Sequence, residues 1–178
     1  PLKGLVCTHF HYDHAGLARW LTDRYAIPLW MTHGEFFTMR ALGERLPEPA
    51  PEGLVLFHQR AGMPAERIAK MLAGLRKDPF MPPQPECFRR LRAGDRLEVG
   101  GRSWQIVVGE GHSPEHACLY CPSLKVLISG DQVLPRISSN VSVHPTEPDA
   151  DPMSDWLDSL DRLQALVPDD VLVLPAHN

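Results

Sequence analysis

The run Thr8-His9-Phe10-His11-Tyr12-Asp13-His14 constrains this chain more than any other stretch. Three imidazoles and a carboxylate occupy six positions directly after an apolar segment, Leu2 to Cys7. In extended chain, residues two apart point to the same side, so His9 and His11 can chelate one ion, while Asp13 and His14, beyond a turn, face a second. Neutral imidazole and carboxylate are the donors that a borderline cation such as zinc takes in a water-activating site.

Three later segments carry the remaining donor types: Gly111-His112-Ser113-Pro114, Ser129-Gly130-Asp131 and Leu174-Pro175-Ala176-His177. Each follows an apolar run, Trp104 to Val108, Val126 to Ile128 and Val171 to Leu174 respectively. Donors on loops beyond strand ends can converge at one edge of a sheet, where rigid scaffolds hold active-site loops.

With its HxHxDH run, later His, later Asp and last His in that order, the chain resembles the metallo-β-lactamase superfamily over essentially its whole length, with a glyoxalase II-like pattern. The resemblance implies that His9, His11 and His112 hold a first metal, that Asp13, His14 and His177 hold a second, and that Asp131 bridges the two. It implies an α/β chain folded as an αββα sandwich, with two divalent ions as cofactors, zinc foremost and iron or manganese as alternatives. His116 sits where the family often has a second His, which suits a role orienting a ligand from behind. His144, in the Pro-rich loop after Asp131, is a candidate to reach substrate.

The hydropathy pattern agrees with mixed α/β. Strands are expected at 2–7, 28–32, 96–99, 103–108, 117–121, 126–129 and 171–174, with Gly100-Gly101 as a hairpin turn. One helix is expected after Asp13 as its N-cap, with Leu17, Trp20, Leu21 and Tyr25 on its inner face. Another is expected after Asp151, with Pro152 in its first turn and Trp156, Leu160, Leu163 and Val167 as its stripe. Between the ligand segments, Pro-rich stretches flank two further helical runs, Gly53 to Gly62 and Pro64 to Asp78. They suggest a single domain, 1–178, carrying a helical insertion over 46–90 that serves either as a lid or substrate wall or as a structural cap. His33 is expected as a helix cap or packed surface residue, and His58 as part of the insertion's surface.

The 178 residues can bury a substantial core, and no apolar run approaches the roughly 18 residues needed to span a bilayer. A net charge of -4 without a dense Lys/Arg cluster argues against a nucleic-acid partner. The expected partner is a small-molecule substrate, with a homo-oligomer left open. Only eight residues precede His9 and one follows His177. The superfamily places several strands before its motif, so a partial domain is expected, one that exposes apolar surface, binds another copy or is only marginally stable. Cys118 and Cys121 spell C-x-x-C, but on a strand these positions face opposite sides and cannot grip one ion. Reduced thiols and a cytoplasmic setting follow as the default.

The chemistry expected of such a donor set is hydrolysis by a water activated between two cations, with Asp13 also orienting the nucleophile or accepting its proton. No G-x-S-x-G elbow offers a serine nucleophile. A thioester, ester or lactone is the first choice of substrate, with a β-lactam ranked below it. The rival readings are a mononuclear-iron oxygenase like the persulfide dioxygenases of this fold, and a non-catalytic metal-stabilised interaction domain.

Overall fold

A computed structural model describes residues 2–178. The first sheet contains strands β1 (Leu5–Val6), β2 (Leu29–Met31) and β3 (Arg89–Arg90), all parallel, in the order β1-β2-β3. The second contains β4 (Arg96–Val99), β5 (Arg102–Gly109), β6 (His116–Cys121), β7 (Val126–Gly130) and β8 (Leu172–Pro175) in sequential order. Its strands are antiparallel except for the last pair, β7 and β8, which run parallel. Six helices complete the described residues: α1 (Tyr12–Ala15), α2 (Ala18–Tyr25), α3 (His33–Leu42), α4 (Glu52–Arg60), α5 (Ala65–Lys77) and α6 (Pro152–Leu166).

The layering follows from side-chain alternation. Leu5 and Cys7, with Leu29 and Met31, face a core shared with Ala15, Ala18, Phe36 and Met39 of the first helices. The intervening Val6 and Trp30 face the other way and meet Ile106, Ala117 and Leu119 of the second sheet. Val107, Cys118, Tyr120 and Leu127 alternate with those residues and turn outward to Leu163 of α6. The central strands of each sheet therefore pack the other sheet with one face and helices with the other, which gives four layers, helix on sheet on sheet on helix. This is the expected αββα sandwich.

The hairpin between β4 and β5 turns on Gly100 and Gly101, both at positive φ (61° and 72°), with Val99 opposite Arg102. That is the two-residue turn such a pair of glycines favours. Asp151 caps α6, accepting the Ser154 N–H at 3.1 Å, with Pro152 at the first helical position. The stripe of α6 is centred on buried Leu163 and Ser159, with Trp156, Leu160 and Val167 half-buried. Cys118 and Cys121 are both free.

Two expectations need correction. The helix after the histidine run begins at Tyr12, with His11 rather than Asp13 at its cap, and it is broken at Gly16-Leu17 into α1 and α2. Its inner face is Ala15 and Ala18, while Leu17 and Trp20 stand 66% and 56% exposed. Small residues let the helix backbone lie close against the first sheet, and the bulkier side chains are turned outward. β3 and α3 were not expected. Arg89 and Arg90 are exposed polar residues paired to β2, so no apolar period marks them. No helix among the described residues is long and apolar enough to cross a membrane.

Candidate metal centre

The loops that follow β1, β5, β7 and β8 meet at one edge of the sandwich. The Ala117 N–H donates to the Thr8 carbonyl at 2.8 Å, tying the start of β6 to the histidine run across the two sheets. The parallel pairing of β7 with β8 brings their C-terminal ends to the same edge, and the Ala176 N–H donates to the Gly130 carbonyl at 3.1 Å. Asp131 and His177, the next residues along each strand, are thereby placed side by side.

All seven expected ligands converge there. One group comprises His9, His11, His112 and Asp131, the other Asp13, His14 and His177. Nε2 of His9 and Nε2 of His112 lie 3.2 Å apart, and Nε2 of His14 and Nε2 of His177 lie 3.3 Å apart. Asp131 spans the groups. Its Oδ2 lies 3.6 Å from His112 Nε2 and 4.0 Å from His9 Nε2, and its Oδ1 lies 3.4 Å from His14 Nε2 and 3.5 Å from His177 Nε2. Asp13 approaches only the second group, with Oδ2 at 3.1 Å from His177 Nε2 and 3.4 Å from His14 Nε2.

This arrangement fits divalent ions. His112 Nδ1 faces the Asn140 carbonyl at 2.8 Å, and a carbonyl only accepts, so Nδ1 carries the proton and Nε2 turns a bare lone pair inward. Two imidazole nitrogens bound at about 2.0–2.1 Å to a tetrahedral ion stand roughly 3.3 Å apart, the spacing of both pairs. Oδ1 of Asp131 is buried with no hydrogen-bond partner, a costly state that a cation removes.

Burial and mutual repulsion keep the rings neutral. Burial, then the neighbouring imidazoles, hold His9 far below the usual histidine range, and burial then His112 lower His11 to about 4. His112 is also lowered, chiefly by burial. Neutral rings have lone pairs to give at physiological pH, as metal binding requires.

His116 is wholly buried and contributes no ligand atom to either group. Its ring stacks on His9, with centroids 4.8 Å apart, and its Nε2 accepts the Asp131 backbone N–H at 3.2 Å. Nδ1 therefore carries the proton and faces Cys118 Sγ at 3.6 Å. Burial lowers His116 to about 3, and burial pushes the Cys118 thiol up to about 12. Gly130 has φ +52°, and a Cβ there would come within 2.6 Å of His116 Nε2, so the residue before Asp131 must be glycine on both counts. His144 is exposed in the loop after Asp131, close enough to His11 to add to the lowering of that ring.

Sequence reasoning missed Glu35, which is fully buried beside these loops. Burial raises its carboxyl to about 7, against the pull of hydrogen bonds from Ser113, Glu115 and Phe10. Its signal was Thr32-His33-Gly34-Glu35, the Thr-x-x-Glu spacing of a helix start. In the folded chain α3 does begin there, but neither side chain caps it. The Thr32 hydroxyl donates to the Glu115 carbonyl at 2.7 Å, and Glu35 turns inward.

The family model for the metallo-beta-lactamase superfamily matches residues 1–177. The chain belongs to this superfamily. Among solved structures, a beta-lactamase domain protein from Burkholderia ambifaria shares 38% identity with a TM-score of 0.84 over 100% of this chain and 50% of its own. A metallo-beta-lactamase family protein from Thermus thermophilus shares 31% identity with a TM-score of 0.70, covering 91% of this chain and 50% of its own. The hydroxyacylglutathione hydrolase GloC of Haemophilus influenzae is 30% identical over 130 residues, 73% of this chain and 49% of that protein. A hydroxyacylglutathione hydrolase of Hydrogenovibrio crunogenus is 26% identical over 99% of this chain and 45% of its own length. The chain thus spans about half the length of the curated relatives it matches.

Proposed function

We propose that this superfamily member is a dinuclear metal hydrolase, zinc-dependent and cytoplasmic, that cleaves small-molecule thioesters. The observation that carries the reading is Asp131, a buried carboxylate whose two oxygens are turned to different groups of imidazoles and whose Oδ1 has no other partner. In this reading His9, His11 and His112 would hold one ion and Asp13, His14 and His177 the other, with Asp131 shared between the two groups. Bound there, the ions supply a nucleophile from water at neutral pH and Lewis acidity at the bond to be cleaved.

The remaining work belongs to the chain's own groups. Asp13, whose side chain is more than half exposed, orients the attacking water and accepts its proton. His116 holds the Asp131 backbone in place through Nε2. Thr8 and Asn140 fix the His9 and His112 rings through their Nδ1 atoms, at 3.0 and 2.8 Å. Segment 46–90 acts as a substrate wall. Its Phe80 and Met81 line a cleft of about 640 Å³ together with Arg45 and Tyr12, and Tyr12 stands between His11 and Asp13. The mixed lining, with Glu44 and Asp78 beside Arg45, suits an acyl group with a polar carrier.

Thioester comes before lactone and β-lactam because two curated relatives are named for hydrolysis of hydroxyacylglutathione, an S-acyl thiol. The protein loaded separately with zinc, manganese or iron(II) is assayed against S-acyl thiols, a lactone, a β-lactam and a phosphodiester. Metal-dependent thioester hydrolysis exceeding every other class is the expected result. Turnover of none by any metal form, or oxygen uptake by the iron form alone, would contradict the reading.

A further inference from the structure

Glu35 is 0% exposed, and neither oxygen of its carboxylate faces a metal-ligand side chain. Its Oε2 accepts the Phe10 N–H at 2.8 Å, and Phe10 lies between His9 and His11. Its Oε1 accepts the Ser113 hydroxyl at 2.6 Å and the Glu115 N–H at 2.8 Å, in the segment that opens with His112. The first turn of α3 completes the joint from its other atoms. The Gly34 N–H donates to Glu115 Oε2 at 2.7 Å, and the Thr32 hydroxyl donates to the Glu115 carbonyl. Two segments about a hundred residues apart in sequence, which carry the three histidines of one group, thus share one buried acceptor.

We propose that Glu35 is a positioning residue for the three-histidine site, holding the His9–His11 and His112 loops in register so that their Nε2 and neighbouring donor atoms meet on one ion. The inference rests on the metal-centre reading above. Three donors converge on two oxygens, so both oxygens must accept. Glutamine has the same shape but only one acceptor oxygen, and its NH2 group must face a backbone N–H, that of Phe10 in one orientation or that of Glu115 in the other. Glu35→Gln therefore removes the joint without opening a cavity. None of the Glu35 hydrogen bonds reaches Asp13, His14 or His177, and the second site is tied to the joint only indirectly, through the His14 N–H on the His11 carbonyl at 3.0 Å, so it serves as the comparison site.

The test measures zinc affinity by competition with a chromophoric chelator in two backgrounds. His177→Ala leaves the three-histidine site, and His11→Ala leaves the other. Glu35→Gln is expected to weaken binding about 10- to 100-fold in the His177→Ala background. In the His11→Ala background it should change affinity by less than about threefold. Ser113→Ala, which withdraws one donor and carries the test if Glu35→Gln does not fold, is expected to weaken the three-histidine site roughly 3- to 10-fold. Affinity at that site unchanged by the substitutions, or equal losses at both sites, would overturn the proposal alone. A parent protein that takes up no zinc would overturn the metal-centre reading and this inference with it.

Discussion

At the scale of single residues, the unusual property of this chain is a set of imidazoles that fold uncharged. Unfolded, each would bind a proton below about pH 6.5. In the fold His116 resists until about pH 3 and His11 until about pH 4, and His9 and His112 are shifted the same way. The unfolded chain then holds more protons than the native one, so these groups contribute stability that is present above pH 6.5 and lost as pH falls through that window. Glu35 acts with opposite sign, because its folded carboxyl takes up a proton near 7 whereas the unfolded one waits until about 4.5. Four imidazoles outweigh one carboxyl. The urea midpoint of the metal-free protein is therefore expected to be lower at about pH 5 than at about pH 7.5, and an equal or higher midpoint at pH 5 would contradict the arrangement. The donor residues were legible because ligand chemistry is written in residue type and spacing. Glu35 was not, because Thr-x-x-Glu announces a helix start and says nothing of a side chain turned to two distant loops.

At the scale of elements, legibility followed burial. β5, β6 and β7 are apolar on both faces and stood out as runs, and Asp151-Pro152 marked the start of α6 by its cap chemistry alone. That cap belongs to α6 and touches no ligand of the metal centre. Asp151→Ala should cost about 1 kcal/mol of stability, seen as a lower urea midpoint, with zinc affinity unchanged. A loss of zinc affinity, or no change in midpoint, would show that the cap's role has been misplaced. α1 and α2 were harder. A periodic row of large apolar residues normally marks the inner face, but here Ala15 and Ala18 are inside and Leu17 and Trp20 outside. The close fit of helix to sheet at the metal edge leaves room only for methyl groups, a constraint set by tertiary packing and absent from the local pattern. β3 carries no apolar period, since Arg89 lies against the Trp30 ring, 5.3 Å from its centroid, by cation–π contact rather than by burial.

At the scale of the whole molecule, two sheets packed face to face between helices bring four loops to one edge, and there the donors meet. The layered architecture was legible from the order of the motifs and from the resemblance they carry. The proposed function depends on Asp131 joining two groups of ligands. The most direct test is the ratio of zinc to chain after loading and desalting, measured for the parent protein and for Asp131→Asn. Two ions per chain in the parent, falling to one or fewer in Asp131→Asn with far-UV circular dichroism unchanged, is the expected result. No retained zinc in the parent, or two ions still held by Asp131→Asn, would contradict it.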